Sequence, residues 1–293
     1  MAIKFKAQEL YNLYTTHINN VEMYTGCKIE EIQSAVNRRE LFPINNNKFR
    51  NVDLAAWMSQ KRYENLPVKA SKFYINFNKL GVASPNYNIP NDYISVLQDF
   101  VDRKWSMDNP FGSHKIRDVN GNIHHDRFQQ QFNFPELDEV FLNWTNLLES
   151  ISELMNGKSF ILDQLTFITR APMVNPTPPH VDNITVTTPK RLPAVVVGMN
   201  LDDSYEADGG VQFLHESHRI VNGRMTSLPK TLDGFVPGNT SIGALNFHNC
   251  NVIHATPPHL SQKHRRTFYL TFCGLEDAIY GNRIRESNKK YVF

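Results

Sequence analysis

The 293-residue chain contains the run RRTFYLTF at positions 265–272, in which polar and apolar side chains alternate. Side chains two residues apart in a β-strand point to the same face of the sheet. The run therefore predicts a strand that lines a polar cavity on one side and packs against helices on the other. The polar face carries Arg265, Thr267, Tyr269 and Thr271, and the opposite face carries Arg266, Phe268, Leu270 and Phe272.

Further short β-rich runs precede this strand, separated by Gly, Pro and Asn clusters. They read FILDQLTFITR, PAVVVGMNLDD, GVQFLHES and SIGALNFHN. Helical patterns occupy residues 91–103 and 135–155, and the second pattern has a stop signal at Asn156-Gly157. The segment SKFYINF alternates Phe73, Ile75 and Phe77 and predicts a strand, whereas the Asn-, Asp-, Gly- and His-rich region 105–134 predicts a loop.

Helices followed by strands predict a mainly β fold with helices outside it. We expect a double-stranded β-helix, or jelly roll, flanked by N-terminal and packing α-helices. A single domain would span 1–293, in three parts. These are a helical N-terminal extension (about 1–70), a first strand with supporting helices (about 71–157) and a jelly-roll core with a metal site (about 158–293).

Composition excludes several classes of protein. The formal net charge of +2 indicates neither a nucleic-acid nor a membrane partner. Three cysteines at positions 27, 250 and 273 form no disulfide or zinc pattern. No stretch approaches the roughly 18 apolar residues of a membrane span, and the N-terminus has no signal-peptide pattern. We expect a cytoplasmic protein.

Three side chains suggest a metal site. His180 and Asp182 lie two apart in PPHVDN, and His254 follows in NVIHAT. Two imidazoles and one carboxylate are the ligands of non-haem Fe(II) sites with open positions. A lone His254 would otherwise be a hydrogen-bonded core residue. A second H-x-D pair, His124 and Asp126, is interpreted as a solvated polar turn.

An arginine eleven residues beyond His254 adds a cation to this set. A buried arginine needs a carboxylate partner, which its planar fork matches bidentately. Strand alternation places Arg265 toward the predicted cavity and Arg266 on the outer face. Arg265 is therefore the better candidate for a dicarboxylic co-substrate.

Residues of about 158–275 resemble the phytanoyl-CoA dioxygenase branch of the Fe(II)/2-oxoglutarate oxygenases. One departure is His215-Glu216, where that family has Pro-Gly before Ser-His, and it concerns the shape of a turn. The matching positions, in family order, are His180/Asp182, Asn200-Leu201-Asp202-Asp203, Asp208-Gly209-Gly210-Val211, Ser217-His218, His254 with Thr256, and Arg265.

The resemblance implies Fe(II) held by His180, Asp182 and His254, with 2-oxoglutarate and O2 as co-substrates. Succinate and CO2 would be released as a substrate C–H bond is oxidised. Arg265 would bind the distal carboxylate of 2-oxoglutarate, assisted by the Thr256 hydroxyl. Two further side chains either reach the co-substrate or form a polar pair on a sheet face. They are Gln164 and Thr166.

The resemblance also narrows the reaction. Related halogenases lack the carboxylate that Asp182 supplies, so we expect hydroxylation, desaturation or oxidative cyclisation. Related nucleic-acid demethylases carry a second arginine where this chain has Thr271. We expect a small-molecule substrate, such as an amino-acid-like or other carboxylate natural-product intermediate. The alternatives are a protein or peptide hydroxylase and a non-catalytic jelly-roll binding protein.

Four cations are candidates for substrate binding, although a solvated surface position is the favoured interpretation of each, since charged residues are mostly exposed. They are Arg170, Lys190, Arg191 and Arg219.

Overall fold

The computed structural model describes residues 3–6, 41–44, 71–107, 113–118, 120–129, 132–182, 194–218, 228–280 and 284–293. The strands are β1 Ile3–Lys6, β2 Leu41–Ile44, β3 Val82–Ala83, β4 Ser113–Arg117, β5 Ile123–Gln129, β6 Phe160–Arg170, β7 Thr177–His180, β8 Val195–Asn200, β9 Gln212–Phe213, β10 Val236–Pro237, β11 Leu245–Asn249, β12 His254–Thr256 and β13 Arg265–Gly274. The helices are α1 Lys72–Leu80, α2 Asn91–Trp105, α3 Pro135–Asn143, α4 Thr145–Leu154, α5 Leu275–Tyr280 and a 3-10 turn at Lys289–Tyr291.

Two antiparallel sheets form the core of the described chain. The larger has seven strands in the order β3-β11-β8-β13-β6-β5-β4, and the smaller has four in the order β10-β9-β12-β7. Strands β1 and β2 pair separately. The prediction of a jelly-roll core with helices packed outside it is confirmed.

The seven-stranded sheet buries one face against helices α2 to α4. Phe167 on β6 stacks on Phe128 at 4.4 Å between ring centroids and meets Phe100 of α2 edge-on at 5.7 Å. Phe268 of β13 lies 5.4 Å from Phe167. The opposite face of β13 lines a cavity with Arg265, as its alternation predicts.

The long helix predicted at 135–155 is two helices. The backbone leaves helical geometry at Trp144, where ψ is 82°, so α3 ends there and α4 begins. The predicted apolar stripe is nevertheless continuous, because Trp144 is itself buried and contacts Tyr93 at 5.8 Å. The predicted stop is confirmed, with Asn156 and Gly157 both at positive φ.

The strand predicted for SKFYINF is wrong, because this segment forms helix α1. Phe73 and Phe77 are four residues apart, a spacing that fits one helix face as well as strand alternation. Phe77 is buried, Phe73 packs on Phe247, and the intervening Ile75 is 52 % exposed. Ser71 caps the helix by accepting from the Tyr74 amide at 3.1 Å.

The loop predicted for 105–134 is also wrong, since it contains the β4–β5 hairpin at the edge of the large sheet. The turn-forming residues are concentrated at its tip, where Asp118 Oδ1 accepts from the amides of Asn120 and Asn122. The predicted polar turn at His124 and Asp126 is therefore part of strand β5. An edge strand can carry polar residues that composition alone assigns to a loop.

Of the first 70 residues, the structure describes only strands β1 and β2. The helices predicted there lie outside the described residues. Within the described part of the chain, no helix has both the length and the apolar character of a membrane span. Cys250 and Cys273 are buried, and Cys27 lies outside the described residues.

Candidate metal centre and active site

A cavity of about 470 Å³ lies between the two sheets. The large sheet contributes side chains from β5, β6, β8 and β13, and the small sheet contributes β7 and β12. The volume is within the range of small-molecule sites in proteins. The predicted metal ligands and Arg265 line this same cavity.

Strand pairing brings the three predicted metal ligands together. His180 ends β7 and His254 begins β12, and their Cα atoms are register partners. Asp182 follows β7, where its amide donates to the Cys250 carbonyl at 3.1 Å. One potential ligand atom from each of the three side chains lies within 4.8 Å of the others. The geometry fits a divalent metal ion bound by two imidazoles and a carboxylate.

Backbone carbonyls select the imidazole tautomers. Nδ1 of His180 lies 2.9 Å from the Pro178 carbonyl, and Nδ1 of His254 lies 3.0 Å from the Val252 carbonyl. A carbonyl only accepts, so each Nδ1 carries the proton and each Nε2 is available as a metal ligand. Burial is the main cause that lowers the pKa of both imidazoles, which favours the neutral form that binds metal.

A third histidine contacts the carboxylate of the site. Nε2 of His248, on β11, lies 3.0 Å from Oδ2 of Asp182, and His248 is 1 % exposed. Oδ1 of Asp182 lies 3.8 Å from Nε2 of His254. Burial alone would raise the pKa of Asp182, but the neighbouring His254 and His248 outweigh it and lower this pKa. Asp182 is therefore an anion, as a metal ligand must be.

The Ser217-His218 motif supports the strand that carries His254. Oγ of Ser217 accepts from the Ile253 amide at 2.9 Å and donates to the Leu214 carbonyl at 2.6 Å. Glu216 stands where the resembling family has glycine, and its φ is 64°. The turn therefore has the left-handed geometry that glycine adopts most easily.

Arg265 is a buried cation without a carboxylate partner in the described chain. It is 3 % exposed, and its Nη1 donates to Ser204 Oγ at 3.2 Å and Thr267 Oγ1 at 3.0 Å. Its buried Nε has no hydrogen-bond partner there. Burial lowers the pKa of Arg265, which remains protonated. An unpaired guanidinium of this kind fits the carboxylate of a co-substrate.

Arg266 points away from the cavity, as the alternation predicts. It donates to Asp202 Oδ1 at 2.6 Å and to Asp102 Oδ2 at 2.9 Å. Asp102 lies on helix α2, and Asp202 lies in the loop after β8. Arg266 is therefore satisfied by the protein itself.

The other predicted residues divide into two groups. Thr256, Gln164, Thr166 and Arg170 line the cavity. Lys190, Arg191 and Arg219 lie outside the described residues. Thr256 Oγ1 accepts from the Thr177 amide at 3.1 Å, so its hydroxyl proton can be donated into the cavity.

Sequence reasoning missed three residues of the cavity region. His248 follows the alternation of β11, where Leu245 and Phe247 face the helices, so the period of two contained a signal for it. Arg127 and Gln129 line the cavity from β5. Their spacing of two residues indicates one face of a strand, but the polar composition of the segment predicts a loop instead.

A jelly roll that gathers two imidazoles, a carboxylate and a buried unpaired arginine in one cavity has the fold and site of the Fe(II)/2-oxoglutarate oxygenases. The chain belongs to the phytanoyl-CoA dioxygenase (PhyH) family, whose model matches residues 54–267. It is therefore a non-haem dioxygenase enzyme with Fe(II), 2-oxoglutarate and O2 as its cofactor and co-substrates. No curated protein matches the chain.

Solved structures share the fold at low sequence identity. AviO1 from Streptomyces viridochromogenes Tue57 is 17 % identical, with a TM-score of 0.57 over 72 % of this chain and 97 % of AviO1. The non-heme alpha-ketoglutarate-dependent carbocyclase SnoK from nogalamycin biosynthesis is 14 % identical, with a TM-score of 0.56 over 77 % and 93 %. EctD from S. alaskensis, solved with 2-oxoglutarate and 5-hydroxyectoine, is 14 % identical, with a TM-score of 0.56 over 73 % and 79 %.

Proposed function

We propose that this enzyme oxidises an unactivated C–H bond of a small molecule by hydroxylation, desaturation or oxidative cyclisation, with release of succinate and CO2. The observation that carries the proposal is the cavity between the sheets. It holds a His-Asp-His group on the side of the small sheet and, on the large sheet, a buried arginine that has no carboxylate partner among the described residues.

The residues have the following roles. His180, Asp182 and His254 hold Fe(II), which when bound supplies the O2 activation that is coupled to decarboxylation of 2-oxoglutarate. Arg265 binds the distal carboxylate of 2-oxoglutarate and thereby orients its keto-acid end toward the metal ligands. The hydroxyl groups of Ser204 and Thr267 accept hydrogen bonds from the guanidinium of Arg265 and hold it in place.

Polar groups on strand β6 complete the co-substrate site. Gln164 and Thr166 face the cavity, and Thr166 pairs in register with Tyr269 of β13. Their amide and hydroxyl groups can donate to oxygens of 2-oxoglutarate, as can the Thr256 hydroxyl. This polar wall fixes one orientation of the co-substrate.

Apolar side chains provide the other part of the cavity. Ile168, Val181, Val196 and Val211 line it. They leave room for the carbon skeleton of a substrate and keep water from the reacting C–H bond. This mixture of polar and apolar lining residues supports a small substrate.

The structural neighbours support the same substrate class by analogy. The carbocyclase SnoK and the epimerase SnoN are both from nogalamycin biosynthesis, and EctD was solved with 5-hydroxyectoine. We extend this to an amino-acid-like or other carboxylate natural-product intermediate. Cytoplasmic location, one domain over 1–293 and the absence of nucleic-acid and membrane partners stay predictions.

The test is an anaerobic titration of the protein with Fe(II) and then 2-oxoglutarate, followed by visible absorption. A metal-to-ligand charge-transfer band near the red end of the spectrum is expected for the native chain. It should be lost in Asp182→Ala and retained in Asp233→Ala, which removes an exposed carboxylate that, among the described residues, is bonded only to Thr231. If the native protein forms no band, the proposed function is wrong.

A further inference from the structure

Arg127 belongs to the wall of the cavity that faces the metal ligands. It lies on β5 with its Cα paired to Ile168 of β6, and its half-buried side chain lines the cavity with His180 and His254. Arg127 and the metal ligands therefore border the same cavity from opposite sheets.

Arg127 has no ionic or hydrogen-bonding partner within the described ranges, whereas Arg170 does. Arg170 lies 3.3 Å from Asp126 Oδ1 and also donates to Thr177 Oγ1. The third cavity arginine, Arg265, is assigned to 2-oxoglutarate by the proposed function. Arg127 is thus the cavity arginine that neither a described residue nor the co-substrate neutralises.

The sum of the charges in the site with Fe(II) and 2-oxoglutarate bound also points to Arg127. Fe(II) and the 2-oxoglutarate dianion cancel each other. Asp126 offsets Arg170, and Asp182 offsets one further arginine. One positive charge is left over, and an uncompensated cation in a half-buried site is costly. A ligand with a negative group would remove this cost.

We infer that the primary substrate carries a carboxylate, and that Arg127 binds it across the cavity from the metal ligands. This inference rests on the proposed function and adds a substrate feature to it. Bidentate pairing with Arg127 fixes one end of the substrate, so the C–H bond presented to the metal lies at a set distance from the carboxylate. Gln129, two residues along the same strand, lines the cavity beside it.

The test uses benzoate and benzamide, which share their shape and differ in charge. Protein saturated anaerobically with Fe(II) and 2-oxoglutarate is titrated with each by calorimetry while the charge-transfer band is monitored. Native protein should bind benzoate about tenfold or more tighter than benzamide. Arg127→Gln should bring the ratio close to one, and Arg127→Lys should keep part of the preference, because it retains the charge but not the fork. Arg117→Gln, an exposed position on β4, should leave the ratio unchanged.

Three outcomes would overturn the inference. The native protein could bind the two compounds equally, or Arg127→Gln could retain the preference, which would assign the anion to another cation. Benzoate could also abolish the charge-transfer band, which would place it in the co-substrate site. In each case the band before titration still supports the proposed function. Failure of that band in native protein would instead contradict the oxygenase itself.

Discussion

Nε2 of His248 lies 3.0 Å from Oδ2 of Asp182, so a fully buried imidazole holds one oxygen of the carboxylate while the other, Oδ1, lies 3.8 Å from Nε2 of His254. The ring of His248 is itself fixed, because it packs 5.2 Å from the ring of Phe213. The orientation of Asp182 is thus determined from the large sheet, although the two histidine ligands lie on the small one.

Replacement of His248 by phenylalanine should weaken Fe(II) binding about 10- to 100-fold, the usual effect of losing a hydrogen bond to a metal ligand. Phenylalanine keeps a ring of similar size, and Nδ1 of His248 has no hydrogen-bond partner in the described chain that the substitution would lose. Equilibrium dialysis measures the affinity. His264→Asn serves as the control, because His264 is an exposed histidine whose ring packs against Trp105. Equal Kd values for the two variants would refute the role of His248.

Arg265→Gln should raise the KM for 2-oxoglutarate by at least about tenfold, because it removes a charge-assisted bidentate contact. Arg265→Lys should restore only part of this, since an ammonium cannot form the same fork. The assay is succinate formation at varied 2-oxoglutarate.

Arg266→Gln is the matched control at the neighbouring position of the strand. It should leave that KM unchanged and lower the free energy of unfolding by about 1 kcal/mol, because the ion pairs with Asp202 and Asp102 are lost. A larger effect on KM from position 266 than from position 265 would reverse the assignment.

Gly81→Ala should reduce the free energy of unfolding by about 2–3 kcal/mol. Gly81 ends α1 at a φ of 80°, and a Cβ there would meet Val252 Cγ2 at 2.3 Å and His218 Nδ1 at 2.5 Å. Gly121 also has a positive φ, of 85°, which disfavours alanine, but a Cβ there would meet no atom within 4 Å. Gly121→Ala should therefore cost only about 1 kcal/mol. Urea unfolding compares the two, and equal costs would show that the contacts are relieved by small shifts.

The metal-free protein should lose stability as the pH falls below about 6.5, the ordinary pKa of histidine. Burial is the main cause of the lowered pKa values of His180, His254, His259 and His264. Below pH 6.5 the unfolded chain therefore binds more protons than the folded one, so the free energy of unfolding decreases with falling pH.

Thermal unfolding between about pH 7.5 and pH 5.5 measures this dependence, and the Tm should fall. His264→Asn should have a shallower dependence, because asparagine does not titrate. A Tm that rises toward acid pH would contradict the prediction.

Much of the jelly roll could be predicted from the sequence, and so could the orientation of Arg265 toward the cavity. The reason is that β13 packs on helices with one face and lines a cavity with the other. The period of two is then imposed by the environment. The same reasoning failed at Phe73 and Phe77, whose spacing of four residues satisfies a helix face and a strand face alike. Only the burial of the partner Phe247 distinguishes the two, and that contact is remote in sequence.

Arg127 and His248 were missed for two different reasons. Arg127 lies on β5, next to the edge strand, and the polar composition of this segment resembles that of a loop. His248 lies on a strand that was predicted, but its role depends on Asp182, which is 66 residues away. Spacing within one strand indicates which face a residue occupies, whereas the partner across the cavity is set by the fold.

The β4–β5 hairpin has a consequence for redesign of this enzyme. It forms the outer edge of the large sheet and contributes Arg127 and Gln129 to the cavity, while the metal ligands and Arg265 come from β7, β12 and β13. Selectivity and oxidation chemistry are therefore carried by separable pieces of chain. A hairpin of the same length with other side chains at positions 127 and 129 would retarget the enzyme without altering its iron ligands.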